Sequence, residues 1–230
     1  MSYLNHVLGY FDLAQNYRSY QLSLINKFIF GKILEVGPGR GEIIENFLHD
    51  KADITLADID KEMCGVLREK FKDNKNVEIL NSNIESIQKK FNTILYMDVV
   101  EHIEDDIKEL DNAYSKLESG GYLVIVVPAF NHLYSDFDKD VGHYRRYDRK
   151  NFMKYASEKK IKKKMNIIKL DYFDSLGFCI LFLSKLLNIK GNKKTVIGIK
   201  IWNLLIPVSR ILDKIFFHKF GKSLICVFQK

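Results

Sequence analysis

The sequence predicts a single α/β domain in which helices cover a parallel sheet. Apolar runs alternate with amphipathic segments along the chain, a pattern typical of parallel sheets flanked by helices. Residues 122–127 form a nearly continuous run of β-branched side chains, as expected for a central strand covered on both faces. A length of 230 residues suits one domain, and 47% hydrophobic with 28% charged residues excludes a disordered chain.

Seven apolar runs predict the strands, and the amphipathic segments around them predict helices. In chain order, the predicted strands are residues 32–36, 54–57, 77–80, 93–97, 122–127, 166–172 and 223–228. Gly120 and Gly121 are expected to end the helix before the fifth strand, and Pro207 is expected to kink the last helix. The predicted helices are residues 17–30, 41–49, 61–71, 105–117, 150–157, 175–189 and 196–217.

Two long segments depart from this alternation. Residues 129–149 form a polar, aromatic-rich connection. Long connections of this kind are more often functional than idle, so we predict a substrate-binding loop there. Residues 173–221 form a helical insertion before the last strand. Its role is open between a cap over the substrate pocket, a homodimer interface, a membrane-facing surface and ordinary packing against the sheet.

Charge is divided unevenly along the chain. Residues 1–149 hold 18 Lys and Arg against 25 Asp and Glu, whereas residues 150–230 hold 18 against 4, which together make the net charge of +7. A basic surface attracts nucleic acid, acidic lipid headgroups or phosphorylated substrates. The alternative is a solvated basic face without a partner.

The three cysteines Cys64, Cys179 and Cys226 lie far apart and show no paired spacing. They predict a reducing compartment and neither a disulfide framework nor a zinc site. Residues 1–10 lack a secretory pattern, and no run of roughly eighteen apolar residues predicts a spanning helix. We therefore expect a cytoplasmic protein, with peripheral binding at the inner face of the membrane as an addition.

A glycine-rich turn, with Gly37, Gly39 and Gly41, follows the first predicted strand. Glycine is needed where the backbone adopts unusual angles or where a ligand touches the main chain. A dinucleotide-binding turn requires glycine at the position of Glu42, whose carboxylate repels a pyrophosphate. Glu35 also disfavours phosphates and favours a nearby ammonium or sulfonium. The turn therefore predicts a cofactor without phosphates.

Asp58 ends the second predicted strand, about twenty residues after the glycines, where a short carboxylate can accept hydrogen bonds from both ribose hydroxyls. The alternative role of capping the next helix suits Asp60 better. Ile59 is expected to pack on the adenine face. Four further residues complete the predicted cofactor contacts, with the first two at the adenine edge: Asn83, Ile84, Met97 and Tyr17.

Residues 35–41, 57–60 and 96–103 resemble, in order and spacing, successive motifs of class I S-adenosylmethionine-dependent methyltransferases. The resemblance covers most of the chain and is specific for cofactor and fold. It implies S-adenosylmethionine as the cofactor and a Rossmann-like seven-stranded sheet whose last strand is antiparallel.

Two later segments, residues 142–147 and 221–224, resemble a bacterial subgroup that often accompanies polysaccharide or glycosyltransferase machinery. Two features depart from the family pattern. Asn92 stands where an acidic residue is common at the start of the fourth strand, and the long insertion before the last strand is absent from the minimal fold.

Methyl transfer from a sulfonium is an in-line displacement that the protein assists mainly by alignment, and a hydroxyl acceptor also needs a base. The carboxyl ends of the fourth and fifth strands face the cofactor in this architecture, which selects Asp98, Glu101 and His102. His102 is a candidate base or substrate contact, with capping or packing as its alternative. No second pair of ligands joins Glu101 and His102 at diagnostic spacing, so no metal is predicted.

His143, in the substrate loop, is the leading candidate base. Arginines beside tyrosines can clamp a phosphate or carboxylate while stacking on a sugar ring. The residues predicted to bind substrate in this way are Tyr144, Arg145, Arg146 and Tyr147. The alternative is a loop pinned to its acidic neighbours Asp136, Asp138 and Asp140.

These features predict a methyltransferase acting on a small molecule or glycan, for example a lipid-linked or phosphorylated sugar, with oxygen as the methylated atom. The basic C-terminal third makes an RNA methyltransferase the alternative. Residues 97–100 lack the Asp/Asn-Pro-Pro-aromatic segment typical of base N-methylation, so nucleic acid is not the expected partner. A non-catalytic cofactor-binding partner protein and, last, an NAD-dependent oxidoreductase complete the alternatives.

Overall fold

The computed structural model describes residues 13–50, 53–157, 165–187 and 196–230. Residues 1–10, which lack a secretory pattern, and residues 188–189 of the sixth predicted helix lie outside these ranges. Seven strands form one sheet: β1 Lys32–Val36, β2 Asp53–Asp58, β3 Val77–Asn81, β4 Phe91–Met97, β5 Leu117–Pro128, β6 Asn166–Phe173 and β7 Ser223–Gln229.

The strand order is β3-β2-β1-β4-β5-β7-β6. The first five strands pair in parallel, whereas β7 runs antiparallel to both β5 and β6. The predicted fold class is therefore confirmed, including the reversed last strand and a helical insertion before it. Because the carboxyl ends of parallel strands share one edge, the ends of β1, β2 and β4 form a common rim for a ligand.

Helices cover both faces of the sheet, as the buried β5 run predicts. Leu110 and Phe152 belong to the apolar cluster on one face, and Leu67 and Ile206 belong to the cluster on the other. The helices are α1 Gln15–Ile25, α2 Lys61–Lys70, α3 Asp106–Ser115, α4 Asp136–Asp140, α5 Arg149–Ser157, α6 Ser175–Leu186 and α7 Val196–Ile215.

Three predicted helices differ from the structure. The α-helix predicted over 17–30 ends at Ile25, and a 3-10 turn over Asn26–Phe28 follows it. The segment after the glycine turn forms 3-10 turns over Ile44–Asp50. The Asn46 side-chain amide donates hydrogen bonds to the main-chain carbonyls of Glu42 and Ile43. In an α-helix the Glu42 carbonyl would instead accept from the main-chain N–H of Asn46. The helix predicted over 105–117 ends at Ser115, because Leu117 already pairs with Phe91 in the sheet.

Gly120 and Gly121 therefore lie inside β5 rather than at a helix end. A Cβ at Gly121 would stand 2.8 Å from the main-chain oxygen of Asn92, closer than side chains tolerate. Glycine therefore allows β5 to approach β4 closely at the point where the register between the two strands shifts.

Pro207 lies within a continuous α7. Proline has no N–H to donate to the carbonyl of Asn203, one turn earlier. That carbonyl instead accepts a hydrogen bond from the Asn16 side chain at 3.0 Å, and the Asn203 side chain accepts one from the Tyr17 main-chain N–H at 3.1 Å. The proline therefore frees an acceptor that docks the start of α1 onto α7.

Among the described residues, no helix combines the length and the apolar character that a bilayer crossing needs.

Candidate active site

The glycine turn between β1 and the 3-10 turns has the backbone that its sequence predicts. Gly37, Gly39 and Gly41 all have positive φ, at 63°, 55° and 76°. A Cβ at Gly37 would lie 2.8 Å from Val99, and one at Gly41 would lie 2.6 Å from the Phe71 ring. Both backbone angle and packing therefore require glycine at these two positions.

Glu35, the residue before the turn, is a buried carboxyl group with an unsatisfied oxygen. It is 1% exposed, and its Oε2 has no hydrogen-bond partner among the described residues. Burial, followed by the nearby Glu42, raises the pKa of Glu35 to about 8, and Arg18 opposes this only in part. A buried carboxylate in this state favours a cationic ligand beside it.

Replacing Glu35 with glutamine is expected to stabilise the ligand-free protein at alkaline pH. The ordinary pKa of 4.5 rises to about 8 in the fold, so folding takes up a proton. The wild type therefore loses stability as pH rises from 4.5 to about 8, whereas the neutral glutamine does not. We expect the melting temperature of Glu35→Gln to exceed that of the wild type by several degrees at about pH 8 but little at about pH 5.

Differential scanning calorimetry across this pH range checks the expectation. Exposed Glu118 provides the control, since the melting temperature of Glu118→Gln should differ from that of the wild type by the same small amount at every pH. An equal gain for Glu35→Gln at both pH values would show that the buried charge does not destabilise the fold.

Asp58 ends β2 at the rim of the sheet. Its Oδ1 accepts a hydrogen bond from the Asp60 N–H at 2.8 Å. Burial raises the pKa of Asp58, and this hydrogen bond lowers it in part. Asp60 caps α2, accepting from the N–H groups of Glu62 and Met63, as its alternative assignment predicts. The Asp58 carboxylate is thus held in place and spared from capping.

The predicted adenine contacts lie beside Asp58 with different accessibility. The Ile59 side chain is 80% exposed, so its apolar surface is available to pack against the adenine ring. Asn83 Oδ1 already accepts from the Ser86 N–H at 3.0 Å, so its amide nitrogen is the group left to offer. The Ile84 side chain is buried in the core, and only its main chain can serve.

Asp98 follows Met97 at the end of β4, with an unusual φ of 57°. Burial raises the pKa of Asp98, whereas Lys222 and His143 lower it. Tyr17 is also buried. Burial and then Asp98 raise the pKa of its phenol well above the ordinary value. Its hydroxyl shares a 2.9 Å hydrogen bond with Ser223. The charges of Lys222 and His143 therefore act on Asp98, which follows the carboxyl end of β4.

Lys222 is a cation of this site that sequence reasoning missed. Its Nζ stands 3.5 Å from the centroid of the Trp202 ring, 5.2 Å from that of Tyr17 and 3.8 Å from Asp174 Oδ2. Burial lowers the pKa of Lys222, and Asp174 and Asp98 counteract this. Lys222 did fall within a family-like segment, but no local pattern indicated that it would meet Asp98.

His143 forms a carboxylate–imidazole pair with Asp138. Its Nδ1 lies 2.8 Å from Asp138 Oδ1, and Arg146 binds both oxygens of the same carboxylate, at 3.0 and 2.9 Å. Burial alone would raise the pKa of Asp138, but hydrogen bonds from His143 and Arg146 hold it well below its usual range. An ionised Asp138 fixes the proton of His143 on Nδ1 and leaves Nε2 as the acceptor.

Glu101 and His102 lie next to this pair. His143 Nε2 is 4.0 Å from Glu101 Oε1, and the His102 and His143 rings meet edge to face at 4.6 Å. Burial, followed by Asp98, raises the pKa of Glu101, and loss of surrounding water, followed by His143, lowers that of His102 to about 4. The three side chains place ligand atoms within 4.8 Å of one another, close enough to share a cation, which their sequence spacing did not indicate.

The four predicted substrate residues separate into exposed and interior positions. Arg146 is 8% exposed and bound to Asp138, and the buried Tyr147 donates its hydroxyl to Asp106. Arg145 also pairs with Asp106, at 2.8 Å, while Tyr144 is 54% exposed. Arg146 and Tyr147 therefore brace the loop from the interior, and the Arg146–Asp138 pair matches the alternative of a loop pinned to its acidic neighbours. Their role as substrate contacts stays a prediction. Tyr144 and the partly exposed Arg145 remain predicted substrate contacts.

Comparison with known proteins agrees with this geometry. The model of a methyltransferase domain family matches residues 14–174, more than two thirds of the chain. The chain belongs to this family. The methyltransferase also shares a stretch of 53 residues, 42% identical, with ribosomal RNA small subunit methyltransferase A from Geobacter metallireducens. That stretch spans 23% of the chain and only 19% of its curated relative.

Solved structures share the fold of the methyltransferase at low sequence identity. A SAM-dependent methyltransferase from Archaeoglobus fulgidus aligns with a TM-score of 0.61 at 16% identity, over 94% of each chain. Coclaurine N-methyltransferase, bound to N-methylheliamine and SAH, aligns with a TM-score of 0.61 at 13% identity, over 92% of this chain and 72% of that one. These similarities support the class I architecture.

Proposed function

We propose that the protein transfers the methyl group of S-adenosylmethionine to a hydroxyl oxygen of a small-molecule or glycan acceptor. The observation that carries the proposal is the pair formed by His143 and Asp138, with Nε2 directed towards Glu101 beside Asp98. Hydroxyl methylation requires a base, and His143 lies beside residues that follow the carboxyl end of β4, on the rim that the cofactor turn shares. Neutral amine acceptors, whose lone pair is more nucleophilic than that of a hydroxyl, need a base less.

The cofactor site supports S-adenosylmethionine by its donor set. The buried Glu35 favours a cationic ligand, Gly37 and Gly39 leave the main chain bare, and Asp58 ends β2 as a carboxylate suited to ribose hydroxyls. When bound, the cofactor supplies an activated methyl group. The remaining work falls to the protein, which must exclude water, align the acceptor and remove its proton.

In the proposed mechanism, His143 Nε2 takes the proton of the acceptor hydroxyl as the methyl group is transferred. Asp138 holds the required tautomer through Nδ1 and stabilises the imidazolium that forms, and Arg146 holds Asp138. Lys222, which together with His143 lowers the pKa of Asp98, offers a positive charge to a phosphate or carboxylate of the acceptor. A phosphorylated or lipid-linked sugar fits this charge.

Replacing Asp58 with alanine is expected to weaken S-adenosylmethionine binding at least about tenfold, because hydrogen bonds to a charged group contribute about 1.5–3 kcal/mol each. Isothermal titration calorimetry with each variant measures the loss. Asp53, exposed at the other end of β2, provides the matched control, and Asp53→Ala should bind as the wild type does. Equal binding by Asp58→Ala would contradict the ribose assignment.

The acceptor atom is tested with cofactor carrying an isotopically labelled methyl group and fractionated glycan and lipid-linked sugar pools. A methyl ether resists both mild acid and alkali, whereas a methyl ester is released by alkali. Label recovered as methylamine or as ester would contradict hydroxyl methylation but leave cofactor use intact.

RNA methylation is the second candidate function. The similarity to two ribosomal RNA methyltransferases and the basic C-terminal third favour it. Residues 97–100 lack the segment typical of base N-methylation, which weighs against it. Salt-sensitive gel shifts with structured RNA, followed by label transfer to that RNA, would support this candidate over the first.

A further inference from the structure

The outer surface of α6 and α7 is unusually apolar. Twenty large hydrophobic side chains are exposed among the described residues, and fourteen of them lie between residues 180 and 217. Examples that are more than half exposed are Leu183, Leu186, Ile201, Leu204 and Ile211. We call this surface the α6–α7 face. Apolar area concentrated in this way marks a contact with another body more often than a solvated surface.

The α6–α7 face follows a helical stripe on α7. Its exposed members recur at steps of four and three residues: Ile197, Ile201, Leu204, Val208, Ile211 and Ile215. The opposite side of the helix carries Ile206, Ser209 and Asp213, which are buried against the rest of the protein. The stripe is therefore directed away from the core and is left without a partner within the described chain.

The charges around the α6–α7 face have one sign. In the described parts of α6 and α7, the exposed charged residues are Lys185, Lys200, Arg210 and Lys214. The single acidic residue of these two helices, Asp213, is fully buried. A two-fold dimer built on this face would bring cations of one copy towards cations of the other, without carboxylates to pair them. An anionic partner has no such cost.

We infer that the α6–α7 face rests on the surface of an anionic lipid bilayer. A helix pair with a broad apolar face and cationic flanks buries its side chains at the level of the headgroups while its lysines meet acidic phosphates. On such a surface the two helices would lie in the plane of the interface. The inference concerns docking and holds whichever acceptor is methylated.

The α6–α7 face adjoins the loop that holds His143. The Phe178 ring of α6 meets the Phe130 ring of the loop edge to face, with the centroids 5.3 Å apart. It also stacks on the ring of the half-exposed Phe182, with the centroids 5.9 Å apart. Lys185 donates to the Tyr134 carbonyl, and the Tyr134 hydroxyl donates to the His143 carbonyl at 2.6 Å. Docking would therefore bring the proposed acceptor site near the headgroups. A lipid-linked acceptor, an extension that rests on the proposed function, suits this position.

The test is flotation of the full chain with vesicles of phosphatidylcholine, with or without about one third phosphatidylglycerol. We expect binding to the anionic vesicles that falls steeply with salt. Lys200→Gln with Lys214→Gln should lower the partition coefficient about thirtyfold, and Leu204→Ser with Ile211→Ser should lower it at least about tenfold.

Matched controls change the same chemistry elsewhere. Val66 and Met153 are exposed apolar residues on other helices, and the double serine variant should float like the wild type. Exposed Lys61 and Lys75 serve likewise for the glutamine pair. The fold of each variant is checked by its melting temperature and by cofactor binding.

Three outcomes would overturn the inference. They are no binding to anionic vesicles, equal binding to neutral and anionic vesicles, and a vesicle-independent dimer in analytical ultracentrifugation that Leu204→Ser dissociates. None of them bears on S-adenosylmethionine binding, so failure of docking remains distinguishable from failure of the proposed function.

Discussion

Replacing His143 with alanine is expected to lower kcat about 10²–10⁴-fold, the range that a positioned general base contributes. Cofactor affinity should stay within about twofold, because an interaction made only in the transition state leaves ground-state binding unchanged. The expectation rests on the pair with Asp138, whose carboxylate holds Nδ1 and leaves Nε2 to act. Single-turnover transfer of labelled methyl, combined with calorimetric titration of the cofactor, measures both quantities.

A control and a second variant sharpen this test. His132 is exposed in the same loop, and His132→Ala should keep activity. Asp138→Asn should lower kcat at neutral pH nearly as far as His143→Ala, because an amide stabilises the wrong tautomer. A loss of activity for His143→Ala that extends equally to cofactor affinity would indicate a collapsed loop rather than a missing base.

Glu101, His102 and His143 lie close enough to share a metal ion, so His143 could act as a metal ligand instead of a base. The two roles differ in their response to chelation. As a base, His143 needs no metal, and we expect wild-type activity to persist in excess EDTA. As a ligand, His143 would lose its role on chelation and regain it with Zn²⁺ or Mn²⁺. Activity that EDTA abolishes and a divalent ion restores would therefore contradict proton transfer by His143.

The cofactor turn and the fold could be predicted because their evidence is local. The turn at Gly37 contains within a few residues both the glycines that its backbone requires and the acidic residue that excludes a pyrophosphate. The apolar run of β5 likewise predicts a strand that is covered on both faces. Seven strands could be placed in order for this reason, while the antiparallel direction of the last came from the family resemblance.

The acceptor side could be predicted only in part, because its evidence is distant in sequence. His143, Arg146 and Asp138 share one loop, but their spacing does not reveal which side chains turn inward. Burial of Arg146 follows from the depth of Asp138, a property of the folded loop. Lys222 and Asp174 meet only because β6 and β7 run antiparallel, which brings the residues after one strand to those before the other.

Local competition explains why one predicted helix forms 3-10 turns and another ends early. At Asn46 a side-chain amide competes with the main-chain ladder, and hydrophobic spacing does not register that competition. At Gly121 the glycine that reads as a helix end instead relieves a close approach to β4. In both cases the pattern indicated a helix, and contacts outside the pattern decided the backbone.

Asp213 connects the elements that enclose the acceptor side. It is fully buried in α7, and its carboxylate accepts three hydrogen bonds: from the Tyr20 hydroxyl at 2.7 Å, the Asp174 N–H at 2.7 Å and the Ser175 N–H at 2.8 Å. Asp174 in turn accepts from the Trp202 indole and sits 3.8 Å from Lys222. One carboxylate thus joins α1, the start of α6 and α7.

Replacing Asp213 with alanine is therefore expected to lower the free energy of unfolding by about 3–5 kcal/mol, since it strands three buried donors at once. In a chain of this size the melting temperature should fall by about 10 °C. Asp213→Asn, which keeps one acceptor oxygen, should fall between the alanine variant and the wild type, and the exposed Asp73→Ala should change stability by less than about 0.5 kcal/mol. Urea unfolding followed by the fluorescence of Trp202, the single tryptophan, reports on this junction directly. A urea midpoint for Asp213→Ala equal to that of the wild type would contradict this expectation. It would mean that apolar packing alone holds α1, α6 and α7 together around Lys222 and Asp174.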